Sequence, residues 1–233
     1  MATPIPLRSL NRRSLEDRAA DELRQALVSR QYPPGARLTE MRLSAEMAVS
    51  RGTVRSALQK LLTEGLVAQR PYASWEVVGL TEEDAWELFT LRAALEGLGA
   101  EVVTTGVMEG RIDPAPIRQA FSLLDQACAS GAADEQVDAA DFHFHKAVIA
   151  AAGHRRLLTQ YERVAAQLQM LIVAANNEPR ASTRLVEAHR PMLDVLLAGE
   201  PERAGALFRR HAWDAYLDVK AQGIDGAGAA ASR

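Results

Sequence analysis

Two sets of residues in this chain have the types and spacing to do chemistry. Arg51 and Arg55 stand one helical turn apart, and so do Asp141 and His145. His189 falls on the apolar side of its segment with Leu185, Met192, Leu193 and Leu196, and His211 falls with Ala204, Phe208 and Ala215. A guanidinium is a planar fork that matches guanine O6 and N7 in the major groove. One carboxylate and three imidazoles aimed at a common interior can serve a divalent cation. That donor mix suits Zn²⁺ first, with Ni²⁺ or Mn²⁺ as alternatives, better than Ca²⁺. For any one histidine the competing reading is a hydrogen-bonded core residue. For the four together a metal satisfies every donor at once, and an unpaired buried carboxylate is costly. His143 points away from Asp141, and His154 opens a helix beside Gly153.

The elements that must position these residues are helical. Ser14 followed by Glu16 and Asp17 predicts a helix start, and Tyr32-Pro33-Pro34-Gly35 its stop. Thr39 caps a short helix through Met47, and Ser50 caps another to about Glu64, with Gly65 just past its end. Leu66–Arg70 and Trp75–Val78 read as strands around Pro71–Ser74. Two short helices joined by Ala48-Val49-Ser50 fit a helix-turn-helix, whose second helix enters the major groove. On that second helix Val54, Ala57, Leu58, Leu61 and Leu62 gather on one side. Arg51, Gly52, Arg55 and Gln59 gather on the other. The Ser50 and Thr53 hydroxyls, with the free N–H groups of the first turn, suit phosphates. Beyond a linker at 79–81, residues 82–220 read as helices only: 82–106, 114–130, 134–152, 154–176, 182–198 and 201–220. Residues 1–13 read as a flexible arm and 221–233 as a disordered Gly/Ala-rich tail.

Composition agrees. The 233 residues are 48% hydrophobic, 24% charged and 5% aromatic, which supports a real core built mostly of helix. The single cysteine, Cys128, excludes an intramolecular disulfide framework and an all-thiolate metal site. No apolar run reaches membrane-spanning length, and the first ten residues have no signal-peptide pattern, so a cytoplasmic protein without a membrane partner is expected. The net charge of −3 hides an asymmetry. Residues 1–78 carry 12 Arg/Lys against 8 Asp/Glu, a net +4, while residues 79–233 carry 15 against 22, a net −7. A basic front and an acidic back point to two domains, the front one facing a polyanion.

Pro34-Gly35, Leu38-Thr39-Glu40, Val49-Ser50-Arg51-Gly52-Thr53-Val54-Arg55-Ser56-Ala57-Leu58 and Glu64-Gly65-Leu66-Val67 resemble the winged-helix domain of GntR-family bacterial transcription regulators. The likeness covers residues 14–78 and implies DNA contacts from Ser50, Arg51, Thr53 and Arg55, with Arg42 one place beyond the position where relatives often carry arginine. Ala48 stands where a glycine usually opens the turn. Leu91-Arg92, Leu95-Glu96, Asp141 through His145, Glu187-Ala188-His189 and Arg210-His211 resemble the all-helical FCD ligand-binding domain of the FadR-type subfamily, over about 82–220. That resemblance implies a metal on Asp141, His145, His189 and His211 at the floor of an effector pocket. It also implies a small organic acid as effector, with Arg92 lining the pocket unless it pairs with Glu96 at i+4. Where relatives often carry arginines, this chain reads Gln167-Leu168-Gln169-Met170-Leu171, which implies a less acidic effector or one held by the amides of Gln167, Gln169 or Asn176.

The expected architecture is mainly α: an N-terminal winged helix-turn-helix domain followed by an all-α helical bundle. The expected function is an effector-responsive regulator, a repressor by first reading, that binds double-stranded operator DNA as a homodimer. A metal-dependent hydrolase using the Asp/His site is the alternative, but it leaves the Arg51/Arg55 helix unexplained. A DNA-binding protein with a purely structural metal is the third reading.

Overall fold

The computed structural model describes residues 14–70, 74–175 and 182–223. The arm at 1–13 and nearly all of the tail at 221–233 lie outside them. The front lobe begins with α1 (Leu15–Val28), β1 (Arg37–Leu38) and α2 (Glu40–Glu46). It continues with α3 (Arg51–Thr63), β2 (Val67–Arg70) and β3 (Ser74–Val77). The back lobe is α4 (Glu82–Met108), α5 (Ala115–Ala129), α6 (Asp134–Ala151), α7 (Arg155–Ala175), α8 (Ser182–Leu197) and α9 (Pro201–Gln222).

The helix starts follow from their caps. Ser14 accepts from Asp17 N–H while Asp17 accepts from Ser14 N–H, and Thr81 and Asp84 repeat this box at α4. Thr39 and Ser50 cap α2 and α3 through the N–H groups of Arg42 and Thr53. Past α3, Gly65 takes φ +69° so that Leu66 N–H can return to Leu61 O, a left-handed stop that suits glycine.

The small sheet has the order β1-β3-β2, antiparallel throughout, with Trp75 opposite both Leu38 and Gln69. The sequence reading contained the β2–β3 hairpin but not β1. A two-residue strand has no periodicity to read, and β1 exists because β3 offers it a paired edge.

The two lobes are not beads on a string. One continuous core joins Leu23, Leu27, Leu58, Leu61 and Trp75 of the front to Phe89, Leu168, Leu171 and Tyr216 of the back. Leu80, inside the expected linker 79–81, is itself buried in that core. A second core, with Val103, Phe144, Met192, Leu196 and Phe208, fills the far end of the bundle. Helix α4 runs through the back lobe antiparallel to α9. Ring contact between Phe89 and Tyr216 and the Arg209–Glu101 ion pair mark their register. Gly97 lets Arg209 cross closely, since a Cβ there would meet Nη1 at 2.6 Å. Among the described residues no helix is long and apolar enough to cross a membrane.

Candidate functional site

On the front lobe the reader helix stands as its sequence predicts. Val54, Ala57, Leu58 and Leu61 are fully buried, and Arg51, Gly52, Arg55 and Gln59 are exposed. The Ser50 and Thr53 hydroxyls sit 2.9 Å apart, and Ser50 also accepts from Thr53 N–H at 3.1 Å. Thr53 is nearly buried, so both hydroxyls already serve the cap. Arg55 donates twice to Glu40 of α2, Nε to Oε1 and Nη2 to Oε2, each at 2.7 Å. Arg42 donates to Glu46 at 2.6 Å and lies over the Tyr32 ring, whose hydroxyl donates to the other Glu46 oxygen at 2.7 Å. Ala48 opens the turn at φ +52°, a left-handed conformation. The candidate wing turn at 71–73 lies outside the described residues.

In the back lobe α6, α8 and α9 bring His145, His189 and His211 together, with candidate ligand atoms all within 4.8 Å of one another. Asp141 Oδ1 lies 2.7 Å from His189 Nε2 and 3.7 Å from His145 Nε2. On His189 and His145 the other ring nitrogen faces an oxygen. His189 Nδ1 lies 2.7 Å from the Leu185 carbonyl, which can only accept, so that nitrogen carries the proton. His145 Nδ1 lies 3.0 Å from the Glu96 carboxylate, which favours the same tautomer. Both Nε2 lone pairs therefore face the interior, 3.0 Å apart. Two such lone pairs repel unless a proton or a cation lies between them. Asp141 Oδ1 is buried without a hydrogen bond. The donor set of three imidazoles and one carboxylate thus fits a divalent metal ion. His143 is exposed, and His154 Nδ1 accepts from Leu157 N–H at the start of α7.

The electrostatics suit a cation. Burial works to raise the Asp141 carboxyl, but the neighbouring histidines, His189 foremost, hold it well below the usual range. Burial also works to raise Glu96, yet Arg92 and His145 hold it down. Burial foremost, then the crowding of His145 and His189 against any added positive charge, pushes His211 far down, leaving it neutral and ready to ligate. Arg92 stays charged against the cost of its burial.

The expected effector residues separate. Arg92 is 2% exposed and donates through Nε to Glu96 at 2.8 Å, so the i+4 pair is formed, but inside the bundle and not on a surface. Tyr161 OH donates to the same Glu96 oxygen at 2.9 Å. Glu96 as a brace for His145, and Tyr161 as a brace for Glu96, escaped the sequence reading. The LRxxLE spacing carries a signal for Glu96, but nothing local marks Tyr161. Gln169 lines a cleft between the lobes, together with Gln25, Val28 and Ser29 of α1 and Asp138, Asp141 and Phe142 of α6. Gln167 does not line that cleft. Two residues along a helix is about 200° of turn, and its amide donates to Gly65 O at the end of α3, 3.2 Å away. Asn176 lies outside the described residues.

Comparison with known proteins bears on both lobes. The profile of bacterial regulatory proteins of the gntR family matches residues 15–77, and that of the FCD domain matches residues 87–213. A protein described as a probable D-xylose utilization operon transcriptional repressor, from Paenarthrobacter nicotinovorans, is 28% identical over 95% of both chains. The gluconate operon transcriptional repressor of Bacillus subtilis is 30% identical over 64% of this chain and 60% of its own. A crystal structure of a GntR transcriptional regulator from Rhodococcus sp. RHA1 superposes with a TM-score of 0.76 at 29% identity, covering 88% of this chain and 97% of that one.

Proposed function

The chain belongs to the GntR family of DNA-binding transcription regulators, with a C-terminal FCD domain, and is not an enzyme; from that premise we propose that it is a repressor whose grip on operator DNA is set by a hydroxylated organic acid bound at a metal ion. The observation that carries the reading is the pairing of two features in one chain: an exposed Arg51/Arg55 face on α3, and a buried Asp/His cluster whose Asp141 lines a cleft against α1.

Arg51 and Arg55 read base edges in this proposal. The backbone N–H groups at the start of α3 hold phosphate, with the Ser50 and Thr53 hydroxyls keeping that start in place. Arg42, beside Tyr32, serves the DNA backbone. Asp141, His145, His189 and His211 hold the metal, Zn²⁺ first. When bound, the ion supplies an electrophilic anchor for a carboxylate. The charges support this role. Arg92, Glu96 and Asp141 sum to −1 with neutral imidazoles, and a divalent ion reverses the sign to +1. Glu135 and Asp138 also line the cleft, so an anionic effector depends on direct contact with the ion for its anchor. Arg92 serves that field and braces Glu96, and it makes no direct effector contact. The polar residues that line the cleft with Asp141 are Gln25, Ser29, Glu135, Asp138 and Gln169, with no Arg or Lys. Those groups suit hydroxyls. A sugar acid satisfies both halves, and operons for xylose and gluconate are what the two named relatives control.

A second copy docks on the α4–α9 face, where Leu91, Leu98, Trp213 and Leu217 are exposed at 40 to 44%. Helix α4 then carries the dimer contact on its outer face and Arg92 and Glu96 on its inner face. Helix α7 carries Gln169 at the cleft and Gln167 against the end of α3. Ligand in the cleft touches α1 directly, so it can reset the spacing of the two reader helices, which half-sites one turn apart fix at roughly 34 Å.

The test is calorimetric titration of metal-loaded protein with gluconate and related sugar acids, with and without a duplex selected from a random pool. Linkage requires the duplex to weaken effector binding by the same factor that effector weakens duplex binding, about 5–150-fold. Equal affinities in the two titrations refute the switch. Chelation that unfolds the protein, and does not merely abolish effector binding, makes the metal structural.

A further inference from the structure

The Glu40–Arg55 pair is built unevenly. Arg55 is 62% exposed, while Glu40 is 9% exposed and sits at the first residue of α2. Glu40 is held below the usual carboxylate range by the Arg55 hydrogen bonds against its burial, with the Arg51 charge and the Trp75 side chain adding to the effect. Trp75 lies in β3 and is itself buried. The carboxylate is therefore fixed in the fold where α2, α3 and the sheet meet, and the guanidinium is the partner that projects outward.

The donors already used matter. Arg55 gives Nε–H and one Nη2–H to Glu40. A guanidinium has five N–H groups, so the far edge, one N–H each on Nη1 and Nη2, stays free and is held in a known direction. That far edge is the fork that matches guanine O6 and N7. An unbraced arginine has several rotatable bonds and can swing to the nearest phosphate, a contact that carries no sequence information.

We infer that Glu40 is a specificity-determining positioning residue: it braces Arg55 so that the free edge of the guanidinium reads a guanine and cannot fall back onto phosphate. The inference rests on the DNA-reading role of α3. It makes two predictions of opposite sign for one substitution. Removing Glu40 frees Arg55 and removes a negative charge from the DNA-facing lobe. Guanine selectivity falls while general duplex affinity rises. A carboxylate that merely supported the fold would, on removal, lower both together with the melting temperature.

The experiment selects binding sites from a pool of randomised duplexes with the full-length wild type, Glu40→Gln, Glu40→Ala and Arg55→Ala. Affinity for an unrelated duplex is measured alongside. Arg55→Ala identifies the guanine that Arg55 reads. Glu40→Ala is expected to reduce preference at that same base pair about fivefold or more, leave other positions of the site intact, and bind the unrelated duplex more tightly than wild type. Glu40→Gln, which keeps one acceptor oxygen, should lie between. Unchanged preference at that base pair in both Glu40 variants overturns the inference, as does a parallel loss of specific and general binding. A wild type that selects no sequence refutes the DNA-reading role itself, and the inference with it.

Discussion

His145 and His189 turn the same nitrogen, Nε2, toward each other across 3.0 Å, because Glu96 and the Leu185 carbonyl each occupy the opposite side of one ring. Such an arrangement is preorganised for a cation. Protein purified without a His-tag is expected to carry one divalent ion per chain by elemental analysis. The His189→Ala/His211→Ala double variant is expected to carry none. Glu96→Ala, which removes no proposed ligand, should weaken the metal by about 10–100-fold in a competition titration with a chelating dye. Full occupancy in the double variant would remove these residues as ligands.

Ala48 occupies a left-handed conformation at φ +52°. That conformation costs an L-residue roughly 1–2 kcal/mol, of which the greater unfolded-state freedom of glycine returns a part. Ala48→Gly should therefore stabilise the front lobe by about 0.5–1 kcal/mol, a shift of roughly 2–4 °C at most for a chain of this size. Gly65→Ala should do the reverse. Its φ is +69°, and the added Cβ would stand 2.5 Å from Gln167 Nε2. Thermal melts of both variants give the sign directly.

Asp17 titrates far from its ordinary value. Its hydrogen bond from Lys60, then those from Ser14, lower its pKa from 3.8 to about 2. A depressed carboxyl contributes stability that is complete above pH 3.8 and is lost as the pH falls toward about 2. Asp17→Asn should be less stable than wild type near neutral pH, and the gap should close as the pH falls through that window. Denaturant midpoints measured across the range check it. A gap that persists at the acid end would mean that the Ser14 cap and not the charge carries the effect.

The exposed Leu98 and Trp213 lie on the α4–α9 face, away from the His cluster. Leu98→Glu with Trp213→Glu should convert the proposed dimer to monomer by light scattering, leave metal content unchanged, and reduce affinity for a two-half-site duplex far more than for a single half-site. A dimer that survives both substitutions would place the contact elsewhere.

Much of the site was legible in the chain itself because its signals are local. Helix caps need only residues three apart, and Ser14, Thr39 and Ser50 all act as their spacing predicts. The outward face of α3 and the inward face carrying Asp141 and His145 follow from the period of 3.6 residues per turn. The convergence of His189 and His211 was readable because each lies on an apolar face, and apolar faces must meet.

What the sequence by itself determined, then, is the order of elements, which face of each turns inward, and the family that this pattern belongs to. Only the tertiary structure decided the partners of the charged and amide side chains. Arg92 could have met an effector or a surface acid. Burial decided the outcome, since a guanidinium that is 2% exposed requires a carboxylate, and Glu96 was in reach. Gln167 and Gln169 look alike in the chain, but the lobes dock on α7 so that one meets Gly65 O and the other the cleft. Arg55 and Glu40 are 15 residues apart, and no periodicity links them. Side-chain pairing across elements depends on which helices touch and at what register, and that is set by the packing of the whole core, which local patterns do not encode.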